Sequence, residues 1–126
     1  MEKKDLKPAG VFKYFEEICQ VPRPSKKEEK MIAYLKAFGA KHNLETKVDE
    51  AGNVLIKKPA TPGKENLQTV VLQSHIDMVC EKNNDVQHDF LTDPIETEID
   101  GEWLKAKGTT LGADNGIGMA TELAVL

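Results

Sequence analysis

One stretch limits the fold more than any other: Leu67-Gln68-Thr69-Val70-Val71-Leu72-Gln73-Ser74-His75-Ile76-Asp77. Its apolar run with β-branched residues at the centre predicts a short buried strand. The run ends in a His and a carboxylate two residues apart. Side chains two apart on an extended chain point the same way, so His75 and Asp77 can meet just past the strand's end. A carboxylate there accepts one imidazole N–H, fixes the tautomer and leaves the other nitrogen for a metal or a proton. The alternative is a strand followed by an ordinary polar turn.

A second element decides between them. In Lys107-Gly108-Thr109-Thr110-Leu111-Gly112-Ala113-Asp114-Asn115-Gly116-Ile117-Gly118, glycines flank one carboxylate on both sides, and an apolar run to Leu126 follows. Asp before an apolar helix is a favoured N-cap, but a cap alone needs no glycine freedom on either side. His75, Asp77 and Asp114 therefore form the candidate site. Their nitrogen and oxygen donors suit Zn²⁺, Mn²⁺ or Co²⁺.

Composition excludes several classes. The 126 residues suffice for one core, and 40% hydrophobic with 30% charged residues is an ordinary globular balance. A formal charge of −4 gives no reason to expect nucleic acid or acidic membranes as partners. No signal segment opens the chain, and no apolar stretch nears the roughly 20 residues that span a bilayer. Cys19 and Cys80 make neither a CxxC nor a disulfide framework, so reduced thiols in a cytoplasmic protein are expected.

Phe12, Phe15, Ile18 and Cys19 predict a helix from about residue 10 to 20, broken by Val21-Pro22-Arg23-Pro24. Ser25 with Glu28 matches a capping box for a second helix, whose buried stripe is Met31, Ile32, Leu35 and Phe38. Arg23 reads as a surface loop charge rather than a substrate contact. Two hairpins follow: 44–49 with 54–56, and 95–99 with 103–106 around Asp100-Gly101. Trp103 reads as a packing residue. His88, with no flanking strand, falls outside the site. The last helix carries Ile117, Met119, Ala120, Leu123, Ala124 and Leu126, leaves little polar face and reaches Leu126 with no stop signal.

The strings Ser74-His75-Ile76-Asp77-Met78-Val79 and Gly108 to Gly118, with Ile18-Cys19-Gln20-Val21-Pro22-Arg23-Pro24-Ser25, resemble the bacterial Xaa-His dipeptidases of the M20 metallopeptidase group. The glycine-rich string is specific to the dipeptidase branch, whereas His-x-Asp alone fits the wider group.

The resemblance implies an α/β catalytic domain with a mixed sheet flanked by helices. Residues 1–126 are its N-terminal part, and a smaller lid domain is expected beyond Leu126. It implies hydrolysis of dipeptides, preferentially Xaa-His, by water activated between two zinc ions, with homodimers common in the group. His75 becomes a ligand, Asp77 its orienting catalytic partner and Asp114 the carboxylate between the ions. Anionic charge there is what two close dications require.

The group's adjacent Glu-Glu pair, later acidic ligand and later His have no counterpart after Asp114, where Glu122 is the only acidic residue. Glu28-Glu29 is explained by capping and the helix dipole. The chain is thus expected to carry part of a site and to be inactive alone. The alternatives are another M20 hydrolase (a tripeptidase, aminoacylase or deacetylase) or a non-catalytic metal-binding remnant.

Overall fold

In a computed structural model describing Met1 to Leu126, the elements run α1 (Ala9–Cys19), α2 (Glu29–Lys41), β1 (Glu45–Val48), β2 (Val54–Lys57), β3 (Thr97–Asp100), β4 (Trp103–Ala106) and α3 (Ala113–Val125), after a single 3₁₀ turn at Lys3–Asp5. Two compact units divide the chain: residues 1–31 with 73–126, and residues 32–72. No helix is long and apolar enough to cross a membrane.

The first unit is built on α1 against α3. The helical spacing of Phe15, Ile18 and Cys19 puts all three on one buried stripe, and Met119, Ala120 and Leu123 form the matching stripe of α3. Ile117 and Val125 on the other side of α3 stay exposed, so the helix is covered on one face only. Helix α1 stops at Cys19 because Pro22 cannot extend its hydrogen-bond ladder. The freed carbonyl of Cys19 accepts the Ile95 N–H at 2.8 Å, which anchors the approach to β3. Thr97 Oγ1 adds a second tie by donating to Glu16 Oε1 at 2.7 Å.

Hairpin β3–β4 pairs Asp100 with Trp103, so its two central residues are Gly101 and Glu102 rather than the expected Asp100-Gly101. Gly101 takes the positive φ of +61° that a two-residue turn led by glycine needs. Trp103 is not a packing residue: at the turn, on the outward face of β4, it is 76% exposed.

Three irregular segments of this unit lie side by side and carry the site. Met78 N–H donates to Arg23 O, and Ser25 N–H returns to Met78 O, at 3.0 and 3.3 Å. On the other side, Thr110 N–H donates to Glu81 O and Asn83 N–H to Gly108 O, at 2.8 and 2.9 Å. Residues 78–83 are thereby held between 23–25 and 108–110.

In the second unit, helix α2 ends in a Schellman motif. Asn43 adopts a left-handed φ of +55°, Asn43 N–H reaches Ala40 O at 3.2 Å and Leu44 N–H reaches Gly39 O at 2.9 Å. Hairpin β1–β2 follows as expected, with the Asp49 carboxylate accepting the N–H groups of Ala51 and Asn53 across the turn.

Two further expectations fail. Helix α2 begins at Glu29, not Ser25. Lys26 takes a left-handed φ of +73°, Glu28 Oε1 accepts the Lys26 N–H, and the Ser25 hydroxyl is committed elsewhere. The run 67–77 forms no strand: Val70 and Val71 are 79% and 78% exposed. A strand exists only through a neighbour's N–H and C=O groups, and none of the four strands, which form two separate antiparallel hairpins, pairs with this run. The α/β class holds, but these residues build small antiparallel sheets rather than one mixed sheet.

Burial pushes the Cys19 thiol up to about 12, with Glu16 nearby adding to the effect, and the thiolate is the reactive form. An alkylating reagent at pH 8 will therefore leave Cys19 unlabelled in the native protein and modify it once denaturant is added, read by peptide mass mapping. Equal labelling rates with and without denaturant would contradict this packing.

Candidate metal centre

His75 and Asp77 meet as their spacing predicts. His75 Nδ1 lies 3.0 Å from Asp77 Oδ1 and 3.2 Å from the Asp77 carbonyl oxygen. Asp77 is itself held, because the Ser25 hydroxyl donates to its Oδ2. Ser25, Asp77 and His75 thus form a chain of hydrogen bonds that fixes the imidazole plane. Ser25 depresses the Asp77 carboxyl below its ordinary range, and His75 acts in the same direction.

The glycine string brings the third residue in. Gly112 sits at a left-handed φ of +76° and caps α3. Within the first turn, Asp114 and Asn115 depart from helical φ/ψ, and their peptide bond is cis. The N-cap position belongs to Gly112, not to Asp114. Its Oδ1 lies 2.9 Å from His75 Nε2, and its side chain is 95% exposed.

Both ring nitrogens of His75 therefore face carboxylate oxygens. A neutral imidazole can donate from only one nitrogen, so this arrangement favours the imidazolium. The His75 pKa is accordingly raised, first by the hydrogen bond to Asp114, with Asp77 contributing and partial desolvation opposing. The stability this pair adds is complete below the ordinary imidazole pKa near 6.5 and is lost as pH rises through the raised value.

The same geometry accommodates a cation. Two donors each ~2.0–2.1 Å from one tetrahedral ion stand about 3.3 Å apart, a few tenths of an ångström beyond the 2.9 Å found between Nε2 and Oδ1. Orientation of the imidazole through its other nitrogen by a carboxylate is the arrangement that metal-ligating histidines use. The set is incomplete, however, because no group of three or more His, Cys, Asp or Glu side chains comes together as a metal site.

Two other acidic candidates are engaged elsewhere, while His88 keeps one buried ring nitrogen, Nε2, without a hydrogen-bond partner. Glu28 bonds the Lys26 N–H, and Glu122 Oε2 accepts the Ser74 hydroxyl at 2.9 Å. His88 packs its ring 4.4 Å from that of Phe90.

Arg23 corrects the sequence reading outright. It is 2% exposed, and its guanidinium donates to three backbone carbonyls: Ile76 and Asp77 from Nη1, at 3.2 and 3.0 Å, and Gly112 from Nη2, at 2.6 Å. Burial lowers its pKa. Prolines on both sides restrict the backbone at Arg23, but nothing local in the sequence signals its burial. Glycines at 112 and 116 leave space that side chains would fill.

No protein-family profile matches the sequence. The chain is 53% identical over 125 residues to the cytosol non-specific dipeptidase of Escherichia coli, across 99% of its own length. Its fold superposes on the crystal structure of aminoacylhistidine dipeptidase from Vibrio alginolyticus with a TM-score of 0.95 and 55% identity, again over 99% of the chain. The chain therefore has the fold of part of that dipeptidase. It spans 26% of the length of each of these two relatives. A tripeptidase from Staphylococcus aureus shares the fold at a TM-score of 0.73 and 21% identity, over 92% of this chain and 30% of that one.

In metal-free protein, the His75 ring should titrate above the ordinary value near 6.5 in an NMR pH series. Asp114→Asn should lower that midpoint more than Asp77→Asn, because Asp114 is the larger cause. A midpoint at or below the ordinary value would show that the two carboxylates do not flank the ring in solution.

Proposed function

We propose that these residues are one part of the catalytic domain of a zinc-dependent dipeptidase that accepts Xaa-His dipeptides. The observation that carries the reading is the convergence of His75 Nε2 and Asp114 Oδ1 to 2.9 Å, with Asp77 on the far nitrogen. The shared fold and the dipeptidase names of the two relatives more than 50% identical support it. The cytosolic setting in the name of the Escherichia coli relative agrees with two free cysteines here.

In this reading His75 and Asp114 hold zinc, with Co²⁺ or Mn²⁺ as workable substitutes. The chemistry the ions supply when bound is polarisation of the scissile carbonyl and acidification of water. The chain's own contribution is orientation. Asp77 accepts the Nδ1–H hydrogen bond of His75 and so leaves the Nε2 lone pair free for a metal, while Ser25 keeps the Asp77 carboxylate turned toward the ring. Asp114 supplies negative charge where cations gather. The general base, the remaining ligands and the surfaces that read the C-terminal His belong to other parts of the enzyme.

Three outcomes are expected with purified protein and a panel of dipeptides. The full-length enzyme should hydrolyse Xaa-His substrates with zinc present, and Asp77→Ala should cost about 10–100-fold in metal affinity or activity, the usual effect of losing such an orienting carboxylate. The isolated 126-residue chain should show no measurable hydrolysis. Appreciable turnover by the isolated chain, or Asp77→Ala at wild-type activity and affinity, would overturn the assignment.

A further inference from the structure

We infer that Arg23 is a positioning residue, setting the separation of the two metal-binding side chains by clamping the backbones that carry them. The inference rests on the metallopeptidase reading. It goes beyond that reading by giving a role to a residue that contacts neither substrate nor metal.

The guanidinium spans both halves of the site. Nη1 holds the carbonyls of Ile76 and Asp77, one and two residues after His75, and Nη2 holds the carbonyl of Gly112, two residues before Asp114. A shift of either backbone relative to the other changes the 2.9 Å gap between Nε2 and Oδ1 directly. The residue's own backbone joins the clamp, because Met78 N–H donates to Arg23 O at 3.0 Å.

The surroundings are shaped to the fork. A Cβ on Gly112 would stand 2.6 Å from Nη2, and one on Gly116 would stand 2.7 Å from it. Both are closer than a carbon and a nitrogen can approach, so Arg23, together with Met78 beside Gly112 and Phe15 beside Gly116, leaves no room for a Cβ at either position. The flanking Pro22 and Pro24 restrict the chain on either side of Arg23, so little backbone freedom is lost when the residue is pinned. Only a planar guanidinium offers donors on two nitrogens at fixed spacing. A lysine ammonium presents one point charge and cannot hold both backbones in that geometry.

The test uses full-length protein loaded with Co²⁺, comparing wild type with Arg23→Lys and Gly116→Ala. Gly116→Ala leaves the charge in place and pushes on the fork with a single methyl group. Positioning predicts that a variant with wild-type circular dichroism has an altered cobalt absorption spectrum. It also predicts about tenfold or greater loss of cobalt affinity, and a kcat that falls by more than KM changes.

Two folded variants with the wild-type spectrum, affinity and kcat would overturn the inference. So would variants that fail to fold both with and without metal, since Arg23 would then hold the fold rather than the site. Wild type keeps the two levels apart: if it binds no cobalt and hydrolyses no dipeptide, the metallopeptidase reading itself fails.

Discussion

A buried cation with no side-chain carboxylate in direct contact is costly, and the first unit is arranged so that Arg23 can be one. Its partners are three backbone carbonyls drawn from two loops far apart in sequence. Hydrogen bonds to a charged group are worth about 1.5–3 kcal/mol each, roughly twice the neutral kind, so carbonyls can stand in for a counter-ion. The consequence is geometric. Ile76, Asp77 and Gly112 cannot move independently, and the side chains of His75 and Asp114 are carried by the same short stretches.

That dependence explains why the site looks finished on one side and open on the other. Behind the imidazole, Ser25, Asp77 and Arg23 lock the ring from two directions. In front of it, Asp114 is 95% exposed and no third ligand joins. A half-built, preoriented donor pair suits a chain that spans 26% of the length of its dipeptidase relatives. The exposed run 67–72 fits the same account, since its consecutive β-branched residues Thr69, Val70 and Val71 are strand-like but find no ladder within these residues.

What could be read from the sequence follows from how local each feature is. The pairing of His75 with Asp77 depends on spacing two along one extended segment, so the sequence was enough. Hairpins β1–β2 and β3–β4 and the stripe of α1 are local in the same sense. Asp114 joining His75 was expected only because glycines surround it. Ser25 was misread because its sequence neighbours advertise a capping box, while its hydroxyl serves Asp77, far along the chain. Arg23 was misread because a charged residue between prolines looks like a surface turn. Its burial depends on space left by Gly112 and Gly116, which no local pattern reveals. The strand at 67–77 failed for the complementary reason: its propensity is local, but its hydrogen-bond partners are not.

The central claim is that Nε2 of His75 and the Asp114 carboxylate share a divalent ion in the assembled enzyme. The most direct measurement is an anomalous-scattering map at the zinc edge from crystals of the full-length protein. The account predicts a zinc peak within about 2.0–2.2 Å of both His75 Nε2 and an Asp114 oxygen, with Asp77 still bonded to Nδ1. A zinc-containing crystal with no peak there, or with zinc bound away from both residues, would contradict it.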